Sequence, residues 1–140
     1  KNEAGAETRF MLDGPSVITE LDSSNNITTS YQTNPQVIDE MLSFERGGTT
    51  YWPITDALGS IYGITDASGS LVRRDSYDVY GERTASTGSG PELAFGFAGR
   101  EHNASGLNLN RARYLSPQLG RWSQPPARPR WSRDRIFMNT

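Results

Sequence analysis

The sequence predicts a predominantly all-β chain built from repeated hairpins, and three observations carry that reading. The first is composition: 140 residues with 34% hydrophobic content, 14 Gly and 14 aromatics, a turn-rich balance that fits strands better than a helical bundle. The second is period: Leu107-Asn-Leu-Asn-Arg-Ala-Arg-Tyr114 alternates within each half, a two-residue repeat read as a strand. The third is recurrence. A hairpin signal at 22–31 returns 44 residues later, with Asp22 and Asp66 each five residues ahead of an aliphatic residue, Ile27 and Leu71.

Taken in order, the first element is the strand in Thr8-Arg-Phe-Met-Leu-Asp-Gly-Pro15, and its Gly-Pro turn leads into a second strand at 16–22. Asn25-Asn26 can adopt the positive φ angles of a tight hairpin, with Ile27, Thr29 and Tyr31 on one face of the strand that follows. A mixed stretch at 36–44 comes next. Gly47-Gly48 then predicts another hairpin turn before Thr49-Thr-Tyr51, and the second copy runs from Ile64-Thr-Asp66 through Ala67-Ser-Gly-Ser70 to Leu71-Val-Arg-Arg-Asp-Ser-Tyr77. Units that recur in this way bury a face only against their neighbours. Ala85-Ser-Thr-Gly-Ser-Gly-Pro91 reads as a flexible connector and an internal boundary. Beyond Leu119-Gly-Arg-Trp122 the chain loses its period in a tail rich in Pro and Arg.

Charge divides the chain unevenly. Residues 1–99 carry 6 basic and 14 acidic groups, a net of −8, whereas residues 100–140 carry 8 Arg against Glu101 and Asp134, a net of +6. Because Arg forms planar, bidentate pairs, the imbalance predicts pairing between the two halves or to a larger host. No run of 18 apolar residues is present, so a membrane-spanning helix is excluded and a soluble chain is expected. A start at Lys1 without a signal-peptide pattern leads us to expect an excised or processed segment. With no Cys, disulfides, zinc–thiolate sites and thiol nucleophiles are all excluded.

Four runs in series, over about residues 8–124, resemble the RHS or YD-repeat family and its C-terminal core module. They are Tyr51-Trp-Pro-Ile-Thr-Asp-Ala-Leu-Gly-Ser60 with Ile64-Thr-Asp-Ala-Ser-Gly69; Tyr77-Asp-Val-Tyr-Gly81; Phe97-Ala-Gly-Arg-Glu101 with Gly106; and Arg111-Ala-Arg-Tyr114 with Ser116-Pro117 and Leu119-Gly-Arg-Trp122. The resemblance implies hairpins joined into a curved sheet that spirals into a hollow shell. In bacterial polymorphic toxins and insecticidal toxin complexes such shells enclose an effector; in teneurins they serve cell-surface recognition. It divides the chain into a YD-repeat hairpin segment at 1–84, a connector at 85–91, a core-module segment at 92–124 and a basic tail at 125–140. The motif residues are then Tyr51, Asp56, Gly59, Asp66, Gly69, Tyr77, Asp78, Gly81, Gly99, Arg100, Glu101, Arg111, Arg113, Tyr114, Gly120, Arg121 and Trp122, all in structural roles. Asp66 and Asp78 precede turns whose N–H groups a carboxylate can cap, and Gly59, Gly69 and Gly81 permit positive φ. Tyr51, Tyr77 and Tyr80 can stack along one face of the sheet.

The same resemblance raises aspartyl self-cleavage, which needs two carboxylates with separated pKa values. Where cleaving relatives run into Asp-Pro, this chain continues Ser123-Gln-Pro-Pro-Ala-Arg-Pro-Arg130, so the dyad is missing. His102, the only histidine, lies in a polar stretch and reads as an exposed loop residue. Nothing resembles a phosphate-binding loop, a nucleophile elbow or a calcium loop. The basic tail with Trp131 raises nucleic-acid or acidic-surface contact, against which a solvated end is the preferred reading. The expectation is therefore a non-enzymatic shell segment, exported to the cell surface or beyond, with no cofactor and no metal. Its expected partners are further YD repeats of the same or a host chain and an enclosed effector, with self-association open. Two alternatives are a cleavage module that borrows carboxylates from another segment and a surface module that binds cells or carbohydrate.

Overall fold

In the computed structural model the described residues are 2–3, 6–14, 16–37, 40–102, 106–110 and 113–123. A short pair, β1 (Asn2–Glu3) and β2 (Ala6–Glu7), precedes an eight-stranded antiparallel meander. The meander runs β3 (Arg9–Asp13), β4 (Ser16–Leu21), β5 (Ile27–Thr33), β6 (Met41–Arg46), β7 (Thr49–Thr55), β8 (Ile61–Thr65), β9 (Leu71–Tyr77) and β10 (Arg83–Gly88). Each strand pairs with its sequence neighbour, so β3 and β10 form the two edges. A four-stranded sheet follows from β11 (Glu101–His102), β12 (Asn108–Asn110), β13 (Arg113–Ser116) and β14 (Arg121–Trp122). The all-β class and the run of consecutive hairpins are as the sequence predicts.

Register in the large sheet slips at six places, among them Met11/Leu12, Gln32/Thr33 and Arg83/Ala85. Such bulges increase local twist, which is how a long meander curves. Pro53 sits inside β7 because β6 has already left it: the β6–β7 pairs end at Phe44 and Tyr51, and from Trp52 onward the pairs lie with β8. The N–H that proline lacks is not called on for the β6 ladder at that point.

One core cluster joins Tyr31, Phe44, Ile61, Ile64 and Leu93, with Val17, Met41, Tyr51, Val72 and Phe95 packed against it. Leu93 and Phe95 come from outside the large sheet. They belong to residues 89–100, a strap that crosses one face of the sheet and ends in a 3-10 turn at Phe97–Gly99. Phe95 meets Tyr31 edge to face with centroids 5.4 Å apart, while Phe44 and Tyr51 stack at 5.3 Å.

Four sequence expectations need correction. Residues 85–88 are not connector: they lie in β10 and pair with Arg73–Ser76 of β9. Their glycines serve close approach, since a Cβ at Gly88 (φ +97°) would lie 2.2 Å from the Val72 carbonyl oxygen, and Gly90 N–H donates to that oxygen at 2.8 Å. The alternating run 107–114 is not one strand. It divides into β12 and β13, with Asn110 opposite Arg113, because the two halves pair with each other. His102 is half-buried in β11, its Nδ1 2.9 Å from Asn108 Oδ1, because the main chain at 101–102 pairs with β12. The three tyrosines do not form one stack: Tyr51 lies on Phe44, Tyr77 tilts against Phe97, and Tyr80 sits exposed in the Asp78 turn beside Gly120. Arg111 and the whole basic tail fall outside the described residues.

Candidate functional site: the strapped face of the sheet

One local device closes four of the hairpins. At Asp22, Asp56, Asp66 and Asp78 the carboxylate Oδ1 accepts the backbone N–H groups of the residues two and four positions ahead, at 2.8–3.1 Å. The aspartate N–H donates to the carbonyl of the fourth residue, and the third residue donates back to the aspartate carbonyl, at 2.9–3.1 Å. That third residue has positive φ each time: Asn25 (63°), Gly59 (80°), Gly69 (78°) and Gly81 (88°). The sequence pattern is therefore Asp-x-x-Gly or Asn, visible at 22, 56, 66 and 78. Matching only Asp22 with Asp66 misses it, because the spacing between copies is irregular. The hydrogen bonds hold the Asp22 and Asp66 carboxyls below the usual carboxylate range, chiefly through the Asn26 side chain and the Ser68 hydroxyl respectively.

Gly81 does more than turn. A Cβ there would lie 2.4 Å from Phe97 Cδ1 and 2.9 Å from Asn108 Nδ2, so only glycine lets the Asp78 turn nest against the strap and the small sheet. Asn108 is buried, donates to the Gly81 carbonyl at 3.2 Å and faces His102. The same junction brings Gly120 against the Tyr80 ring and Gln118 within 3.4 Å of Glu82.

The strapped face is polar as well as aromatic. Glu20 is buried on β4 and takes hydrogen bonds from the hydroxyls of Tyr31 and Thr29 and, at 3.1 Å, from Arg46 Nη2. Arg46 Nε also donates to Thr29 Oγ1 at 2.8 Å, and its Nη1 donates to the strap carbonyl of Glu92. Burial first, then the Glu20 charge, pushes the Tyr31 hydroxyl well above its ordinary range. A second cluster lies on β9 and β10. Buried Asp75 holds Arg73 Nε at 3.2 Å and faces Arg83 Nε at 3.8 Å, and the Glu92 carboxylate accepts from Arg83 Nη1. Burial would lower the Arg83 guanidinium, but the hydrogen bond to Glu92 and the nearby negative charges outweigh it and raise the group on balance. These ion pairs join residues before Arg100 rather than the two charge-segregated halves. Sequence reasoning missed both clusters. The only available signal was an isolated charge at an inward strand position, which pattern alone cannot distinguish from an outward one.

The remaining motif residues lie apart from these clusters. Tyr77 donates to the Ile61 carbonyl at 3.0 Å. Gly99 and Arg100 close the strap turn, and Arg100 lines a cavity of about 370 Å³ between the strap and the Asp56 turn. Glu101 opposes Leu109, Tyr114 lies on β13, and Arg121 is exposed on β14. The Arg113 guanidinium lies 4.1 Å from the Trp122 ring centroid. Among the described residues no three His, Cys, Asp or Glu side chains gather as a metal site, and no helix is long and apolar enough to cross a membrane.

A meander closed by Asp-capped turns and crossed by a strap can be compared with known proteins. The family model that describes the Teneurin YD-shell matches residues 2–137. The chain belongs to the Teneurin YD-shell family. This YD-shell chain is 30% identical over 125 residues to the tRNA3(Ser)-specific nuclease WapA of Bacillus spizizenii and 31% identical to the tRNA nuclease WapA of Bacillus subtilis strain 168. Each match takes in 86% of this chain and 5% of the relative. The YD-shell chain thus spans about one-twentieth of those curated relatives. Among solved structures it resembles the crystal structures of TcdB2-TccC3 and TcdB2-TccC3-TEV, with TM-scores of 0.53 and 0.52 at 17% identity. Those matches cover 87% of this chain and 8% of theirs, and the likeness is one of fold.

Proposed function

We propose that the chain is a wall segment of a YD shell that encapsulates or docks other protein and performs no chemistry of its own. The eight-stranded meander, Arg9 to Gly88, is wall, and the strap that opens the core-module stretch lies against it. The observation that carries this reading is the sheet's two unpaired edges. Among the described residues β3 and β10 each pair on one side only, and β3 leaves Met11 and Leu12 largely exposed. Edges of that kind pair with further strands. Partners are then further YD repeats and a protein held behind the wall, in an exported toxin-like assembly.

The nuclease named for the Bacillus relatives belongs to proteins of which the match covers a small part, so this segment is read as their shell and not their enzyme. The test uses a longer polypeptide that contains this segment joined to an effector. Limited proteolysis is expected to spare the effector in the intact protein and to degrade it when β10 carries Thr87→Pro. Full protection in the variant, or cleavage of tRNA by the 140-residue chain, overturns the proposal.

A further inference from the structure

Glu92 is the acidic residue of the strap, and its side chain is 65% exposed although both arginines that contact it are not. Arg73 and Arg83 have side chains only 11% and 14% exposed. Their positions are fixed by the ladder, with Arg73 between Ile64 and Gly88 and Arg83 opposite Tyr77. On the inner side Asp75, 8% exposed, accepts from Arg73 Nε at 3.2 Å and lies 3.8 Å from Arg83 Nε. On the outer side the Nη atoms converge on one oxygen, Glu92 Oε1, which accepts from Arg83 Nη1 and lies 3.9 Å from Arg73 Nη2. Arg83 Nε, buried on the Asp75 side, makes no hydrogen bond.

We propose that Arg73 and Arg83 form a preorganised carboxylate-binding fork whose resident ligand is Glu92, and that an acidic side chain of another protein segment can take its place. Three arguments support this. Asp75 hydrogen-bonds Arg73 and lies 3.8 Å from Arg83 Nε, so a negative charge stays beside both guanidiniums when the Glu92 carboxylate turns away. Two nearly buried cations left with one carboxylate carry an uncompensated charge, which is costly and selects an anion. The charge left over is a single positive one, so a carboxylate monoanion balances it better than a polyanion does. Glu92 itself faces solvent, so little must be dehydrated or rehydrated to exchange it. Leu93 and Phe95 hold the strap itself in the core, so the exchangeable part is the Glu92 carboxylate alone, and the inference stands whether or not the chain builds a shell.

The test is chemical rescue of the 140-residue chain. Glu92→Ala is expected to lower the melting temperature by about 3 °C or more. Sodium acetate should restore at least half of that loss, while sodium chloride at equal ionic strength restores none. The double variant Arg83→Met/Glu92→Ala should gain nothing specific from acetate. If acetate and chloride act alike on Glu92→Ala, or if inorganic phosphate rescues better than acetate, the proposal is overturned. Should Glu92→Ala not fold, Glu92→Gln is titrated with acetate while the arginine Nε–H resonances are followed. Acetate-dependent shifts of Arg73 and Arg83 support the fork, and their absence overturns it.

Discussion

Asp66 shows how a single side chain fixes a turn. Its carboxylate accepts two backbone N–H groups and the Ser68 hydroxyl at 2.6 Å, and these bonds are stronger to the ionised form. Led by the Ser68 hydrogen bond, they depress the folded-state pKa below the value of 3.8 expected of the free group. A depressed carboxylate stabilises the fold fully above the unfolded pKa, and that stability is lost as pH falls through the folded value. The pH profile of the melting temperature should therefore decline below about pH 4, and Asp66→Asn should flatten the decline while lowering stability at neutral pH. Thermal melts over the acidic range check this; an unchanged acid limb would show that the cap contributes nothing. The aspartates and turn glycines were legible in the sequence because turn chemistry is local: a carboxylate and a positive-φ residue three positions apart need no knowledge of the rest of the chain.

At the scale of an element, β10 shows where local reading fails. Ala85-Ser-Thr-Gly-Ser-Gly90 has the composition of a linker, yet the stretch to Gly88 pairs along β9 as the sheet's edge, and Gly88 and Gly90 lie against Val72 and Arg73. Small residues there permit backbone contact rather than motion. Gly88→Ala should cost roughly 2 kcal/mol through its Cβ against the Val72 carbonyl and its left-handed φ. Amide exchange should then speed up at 84–88, with β5 and β6 unaffected. Exchange that rises evenly over the whole sheet, or not at all, would refute the local role. β12 and β13 carry the complementary lesson: the alternation that predicts extended backbone slips phase where Asn110 and Arg111 adjoin, and β12 ends at Asn110.

The whole molecule depends on the strap. A one-layer sheet needs something against its apolar face, and Leu93 and Phe95 supply it by meeting Tyr31, Phe44, Ile61 and Ile64. Leu93 is 4% exposed, and Leu93→Ala should lower the unfolding free energy by about 2–4 kcal/mol. Chemical denaturation monitored by tryptophan fluorescence measures it; a loss below about 1 kcal/mol would place the stabilising core elsewhere. The two charged clusters share this dependence, since Arg46 and Arg83 each bind the strap at Glu92.

The sequence by itself determined the strand class, the hairpin order and the turns, because hydrophobic period and turn chemistry act over a few residues. Only the tertiary structure decided that a glycine-rich stretch becomes an edge strand, that Glu20 and Asp75 turn inward to meet arginines, and that residues 89–100 lie across the sheet. Each of these joins positions far apart in the chain, where the free energy comes from burial and charge pairing that no local pattern records.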